Sequence, residues 1–233
     1  MQPTREQLQR NILGVRQEVA EACTRFGRDP DSVRVVTVTK YVESETASRL
    51  VGLGQLDLGE NRPQQLDEKA RSIGDHGIRW HMIGHLQRNK VRLVVPRCHL
   101  IHSVDSPRLL ESIHECASGL GTVARCLLEI NISGDESKHG LRESEVMPLL
   151  ELADGLSSVE IQGLMAMSGL DSTPDESLRQ FEAVRELRDR LASQCGDRFR
   201  LTELSMGMSG DFLQAIQAGA TLLRIGSRFF ERD

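Results

Sequence analysis

Lys40 is the first residue in the chain whose type and place suggest covalent chemistry. It closes VTVTK, an apolar run in which Val36, Val38 and Lys40 share one face of a strand by the two-residue period. A lysine at that place projects beyond the strand end, where a desolvated amine is a nucleophile able to form a Schiff base with a carbonyl. A strand-end lysine that only snorkels to solvent is the commoner case. Two loops near the C-terminus point to a second chemistry. Ser205-Met206-Gly207-Met208-Ser209 and Arg224-Ile225-Gly226-Ser227 each lie at the end of a short apolar run. Glycine lets an anion approach the backbone closely, and serine hydroxyls add donors, so both loops suit a phosphate. Turn chemistry alone puts Gly and Ser in any loop. Arg224 shares a face with Leu222 at the end of a buried strand, and such a cation needs a partner. Glu203 or Glu129 is one candidate, and the ring nitrogen or phosphate of a ligand is the other.

Other polar residues carry weaker signals. Asn61, in LGEN, suits a site rim or a helix cap. His81 and His85, in WHMIGHLQRNK, stand four apart, but His81 falls on a strand and no H-E-x-x-H helix is present, so no metal site is expected. Lys138 and His139, in NISGDESKHG, read as a solvated loop. Met165 and Met167 end the run GLMAM, where soft side chains more often fill a core than touch a ligand.

The elements that must position these residues alternate in period along the chain. Thr4 and Gln7 have capping-box spacing, and Leu8, Ile12, Val15, Val19, Ala22 and Phe26 recur at helical steps before Gly27, which predicts a helix over residues 4–26. Short apolar runs follow at Val33–Val38, Leu56–Gly59, Trp80–Gly84, Leu100–Val104, Cys126–Ile130, Val159–Leu164, Leu201–Ser205 and Leu222–Ile225. Helical stretches separate them, among them Pro63–Ile73, Leu86–Val94 and Asp175–Ser193. Eight strands alternating with helices predict a closed α/β barrel, a (β/α)8 TIM barrel, over residues 1–233 as a single domain. An open doubly wound sheet would carry a glycine fingerprint after its first strand, and VTVTKYVES has none. Too little chain follows the last strand for a full eighth helix, so the N-terminal helix is expected to close that gap. Barrel sites sit at the C-terminal strand ends, with phosphate at the last two loops, which is where Lys40 and the two glycine–serine loops fall.

Composition excludes several classes. The chain has 233 residues, 39% hydrophobic and 27% charged, and a net charge of −5 without a basic stripe, so a nucleic-acid partner is not expected. No apolar run approaches the ~18 residues of a membrane span. The opening MQPTREQLQR lacks the apolar centre of a secretory signal, and five cysteines without a C-x-x-C pair read as reduced thiols. A cytoplasmic monomer is expected.

Taken together, VTVTKY, LGENRPQQL, RWHMIGHLQRNK, NISGDESKHGL, GLMAM, ELSMGMSGDF and RIGSRFF resemble the pyridoxal phosphate homeostasis protein family. The resemblance implies an alanine racemase-like barrel (fold type III) without that enzyme's second domain. It implies pyridoxal 5′-phosphate held as a Schiff base on Lys40. Cofactor contacts are expected from Asn61, His81, Met165, Ser205, Gly207, Met208, Ser209, Arg224, Gly226 and Ser227. An arginine beside the ring nitrogen weakens the ring as an electron sink. The expected role is therefore to bind, shelter and release the cofactor, with PLP-dependent apoenzymes as candidate acceptors. A PLP-dependent amino-acid racemase is the alternative, and a cofactor-free Schiff-base aldolase is a third class. Tyr41 and Arg62-Pro63 depart from the family pattern of proline and Tyr-Val. As the neighbour of Lys40 on a strand, Tyr41 is expected on the opposite face, away from the lysine.

Overall fold

The computed structural model describes residues 3–132 and 139–231. A capping box opens helix α1 (Arg5–Arg25): Thr4 Oγ1 accepts from the Gln7 N–H at 3.2 Å, and Gln7 Oε1 accepts from the Thr4 N–H at 2.8 Å. Among the described residues, eight strands then alternate with helices. They run β1 (Arg34–Val38), α2 (Ser44–Val51), β2 (Asp57–Glu60), α3 (Pro63–Ile73), β3 (Arg79–Met82), α4 (Val91–Val94), β4 (Cys98–Val104) and α5 (Pro107–Gly119). The second half runs β5 (Ala124–Ile130), α6 (Glu143–Asp154), β6 (Val159–Ala166), α7 (Pro174–Cys195), β7 (Glu203–Ser205), α8 (Phe212–Ala218) and β8 (Leu222–Ile225). The strands close as one parallel barrel in chain order, with β1 paired to β8 through Val36 and Arg224. The TIM-barrel expectation holds.

Strand alternation sorts the buried side chains into two cores. Leu58, Trp80, Met82, Ile101, Leu128, Leu164, Leu204 and Leu223 face outward and pack under the helices. Val36, Leu100, Leu127, Met165 and Leu222 face inward and fill the barrel. Each fully buried side chain of this size contributes roughly 1.5–3 kcal/mol of apolar burial. One stretch is less helical than its pattern suggested. Leu86–Val94 forms a 3-10 turn at Arg88–Lys90 and only the four-residue α4, with Gln87, Arg88 and Asn89 exposed and Pro96 close behind.

The N-terminal helix packs against the last elements of the barrel. Its stripe of Leu8, Ile12, Val15, Val19, Ala22 and Cys23 is buried, and it packs on α8 and the 3-10 turn Ser227–Phe230. Asn11 Nδ2 donates to the carbonyls of Phe229 (3.1 Å) and Glu231 (2.9 Å), tying both ends of the chain together. No helix among the described residues is long and apolar enough to cross a membrane.

Candidate functional site

A cavity of about 860 Å³ opens at the C-terminal ends of the strands, lined by Lys40, Tyr41, Asn61, Met208, Ser209, Arg224, Gly226 and Ser227 together with Val38 and Met167. Val36 fills the barrel interior, and Val38 and Lys40 both line the cavity. A buried ion pair outside the barrel anchors the residue before it. Lys69 Nζ donates to Glu60 Oε1 at 2.5 Å and to the Thr39 carbonyl at 2.8 Å, while Thr39 Oγ1 donates to the same Glu60 oxygen at 2.6 Å. The backbone at Lys40 is thereby fixed from α3, which begins on Pro63 as its first residue, a position that needs no N–H.

Tyr41 is not where the strand argument placed it. The strand ends at Val38, residues 40–42 turn, and the exposed Tyr41 ring lies 4.9 Å from Lys40 Nζ. Two-residue alternation stops with the strand, so adjacent side chains meet. The departure from the family pattern at this position therefore touches the lysine.

Arg224 closes the floor of the cavity. Its Nη1 donates to the Ser205 carbonyl and to Ser205 Oγ, each at 2.7 Å, and its Nη2 donates to the Ala166 carbonyl at 3.0 Å. Among the described residues it forms no salt bridge; Glu203 instead pairs with Arg34 at 2.5 Å and accepts from Thr221. Burial pushes the guanidinium down to about 10, still charged near neutrality, with Asp211 and Glu129 opposing the fall.

Below Arg224 a file of polar side chains runs down the barrel. Ser205 Oγ lies 2.8 Å from His102 Nδ1, His102 Nε2 lies 2.9 Å from His81 Nδ1, and His81 Nε2 lies 3.0 Å from Asp57 Oδ1. The two ends settle the direction of every bond. Asp57 is held well below the usual carboxylate range: burial pushes it up, but hydrogen bonds from Arg79 and His81 outweigh that. It can only accept, so His81 Nε2 carries a proton. Burial lowers both histidines and keeps them neutral. His81 Nδ1 then accepts from His102 Nε2–H, and His102 Nδ1 accepts from the Ser205 hydroxyl. Ser205 accepts in turn from Arg224, which has only donors.

Several expected contacts are therefore not at the mouth. His81 and Ser205 are fully buried in this file, Met165 is fully buried in the inner core, and none of the three lines the cavity. Met167, the next residue in phase, lines it instead. Gly207 is also below the surface. Its φ of +85° and a Cβ position only 2.5 Å from Ala215 Cβ require glycine, and its carbonyl accepts from the Arg224 N–H at 2.9 Å. Of the expected phosphate contacts, Ser209, Gly226 and Ser227 remain together at the cavity, with Ser209 Oγ accepting from the Gly226 N–H at 3.4 Å. Lys138 lies outside the described residues.

A second cavity of about 600 Å³ adjoins the first, sharing Ile83, Gly84, Met167, Met208 and Gly210, and Glu129 lines it. Burial pushes the Glu129 carboxyl up to about 7, with the Asp105 charge adding and Arg224 opposing. Sequence reading missed Glu129 as a site residue, and His102 and Asp57 entirely. The period carries a signal for two of them: Leu127 and Glu129, like Leu100 and His102, sit two apart on the inward face.

Comparison with known proteins agrees with this geometry. Residues 64–231 match the alanine racemase N-terminal domain family. The pyridoxal phosphate homeostasis protein of Aquifex aeolicus is 35% identical over 93% of this chain and 94% of its own length. The chain belongs to the pyridoxal phosphate homeostasis protein family. The human member is 34% identical over 95% of this chain and 86% of its own. The PipY protein of Synechococcus elongatus, solved with PLP bound, is 32% identical with a TM-score of 0.81, covering 91% of this chain and 100% of that one. Alanine racemase of Corynebacterium glutamicum, at 15% identity and a TM-score of 0.74 over 98% of this chain and 61% of that one, shares the fold.

Proposed function

We propose that this family member binds pyridoxal 5′-phosphate in the mouth cavity, covalently through Lys40, and holds it for release within the cell. The observation that carries the reading is the convergence of Lys40, Arg224 and the Ser209, Gly226 and Ser227 loops on one 860 Å³ cavity, a volume within the usual range for small-ligand sites. The donor set fits the cofactor: an amine for the aldehyde, hydroxyl and backbone donors for the phosphate, and an arginine without a carboxylate partner among the described residues. The cofactor supplies an aldehyde that condenses with amines and a ring that can draw electrons from the carbon attached to them. The chain's own residues do the rest. Lys40 offers the attachment point, held by Thr39, Glu60 and Lys69. Arg224, kept charged and aimed by Ser205, would disfavour a proton on a ring nitrogen held against it, which suits storage more than carbanion chemistry. Asn61 and Met208 line the cavity walls. A one-chain carrier that delivers the cofactor to PLP-dependent apoenzymes is the finer reading.

Borohydride reduction followed by peptide mapping tests the attachment. The cofactor mass should stay on the peptide containing Lys40, and Lys40→Ala should lose it; labelling at Lys69 or Lys90 would overturn the assignment. Glu129, poised near neutrality beside the cavity, and Tyr41 beside the lysine favour a second reading, amino-acid turnover of the racemase type.

A further inference from the structure

We propose a divalent-metal site on the rim of the barrel, formed by His85, Asp105 and His139. The three come from separate loops: His85 follows β3, Asp105 follows β4, and His139 lies on the segment that returns to Leu141, which bridges to Ile130 of β5. Asp105 Oδ2 lies 3.4 Å from His85 Nδ1 and 3.8 Å from His139 Nδ1, and the three donor atoms lie within 4.8 Å of one another. Neither separation falls in the range of a good hydrogen bond, about 2.7–3.2 Å. Both are close to what a shared ion sets: metal–ligand bonds of about 2.0–2.2 Å at tetrahedral angles put donor atoms roughly 3.4 Å apart.

The ring geometry favours the same occupant. The two imidazoles stack with centroids 3.9 Å apart and planes 13° apart, and both turn Nδ1 toward the same carboxylate oxygen. Protons on both nitrogens of both rings would place two cations face to face, and a neutral Nδ1–H on each would aim two donors at one oxygen over separations longer than a good hydrogen bond. Lone pairs on both would face an anion. A single dication between them satisfies all three groups, and two imidazoles with one carboxylate suit zinc and its neighbours. The sequence weighed a metal only on His81 with His85 and expected none; the proposed site pairs His85 with other residues. His81 turns into the barrel, and the partners of His85 come from later loops. Three protein ligands leave one position open, the pattern of sites that keep a water or an exchangeable ligand. His85 and His139 both line the 600 Å³ cavity, so the site sits at its edge.

The site rests on its own residues and not on the cofactor reading, and the test separates the two. Equilibrium dialysis and visible spectra with Co2+, then Zn2+ in competition, are run on the cofactor-loaded wild type, His85→Ala, His139→Ala, Asp105→Asn, Lys40→Ala and the exposed control His76→Ala. One ion per chain is expected, with d–d bands and no sulfur charge-transfer band. His85→Ala and His139→Ala, both at solvent-exposed positions, should each weaken binding at least tenfold, and Asp105→Asn should do likewise. Lys40→Ala and His76→Ala should bind as wild type. Wild-type affinity in either histidine variant, a sulfur band reporting cysteine ligation, loss of the ion in Lys40→Ala, or no retained ion would each overturn the site.

Discussion

Ser205 Oγ sits 2.7 Å from Arg224 Nη1 and 2.8 Å from His102 Nδ1, so it accepts a hydrogen bond from the arginine and donates its own O–H to the histidine. Nothing of that hydroxyl is left to donate to a phosphate. Ser205 therefore acts on the cavity through Arg224. Removing it should weaken pyridoxal and its phosphate equally, by roughly 1–3 kcal/mol for a lost bond to a charged group. Ser227→Ala should weaken the phosphate form alone. Titrating both ligands into both variants checks this, and a phosphate-selective loss in Ser205→Ala would return Ser205 to the phosphate site.

Stability should fall as pH drops below neutrality. His81 and His102 are fully buried and lowered by burial from an ordinary value of 6.5, so the unfolded chain binds protons that the folded chain does not. Their contribution is complete above pH 6.5 and is lost below it, at roughly 1.4 kcal/mol per pH unit for each group. His99, pushed down to about 4 by burial, adds to the slope in the same direction. Urea midpoints measured from pH 7.5 to 5 should show the fall, and His102→Gln should reduce the slope by about one proton. A flat profile would mean that these histidines are charged in the fold.

Lys69→Met should destabilise the chain by roughly 3–5 kcal/mol, because it leaves the Glu60 carboxylate buried without its cation. Both side chains are nearly inaccessible, and Glu60 Oε2 already lacks a partner. Adding Glu60→Leu should recover most of the loss in melting temperature. If the single variant melts as wild type, the pair does not anchor Thr39 and Lys40.

Little solvent deuterium should enter the α-carbon of amino acids. Proton abstraction typically gains 10²–10⁴-fold from a placed acid or base, and the charge of Arg224 works against it at the ring. Exchange measured over an amino-acid panel with wild type, Lys40→Ala and Glu129→Gln decides the matter. Fast exchange that needs both Lys40 and Glu129 would make this family member an enzyme.

Periodicity alone determined the barrel and the N-terminal helix, because burial on alternate strand faces and on one helix stripe is written locally in Val36, Val38 and Leu222 or in Leu8, Ile12 and Val15. It also placed Lys40, Arg224 and the Ser209, Gly226 and Ser227 loops correctly at the mouth. Tertiary structure alone decided which polar groups meet. His81, His102 and Ser205 lie on three different strands, and a closed barrel brings their inward faces onto one axis, where a hydrogen bond of 2.8–2.9 Å depends on register and tilt. The contact of Tyr41 with Lys40 turned on where β1 stops, and the meeting of His85, Asp105 and His139 on how three loops fold over one rim. Spacing along a chain cannot carry those distances, because they are set by elements far apart in sequence.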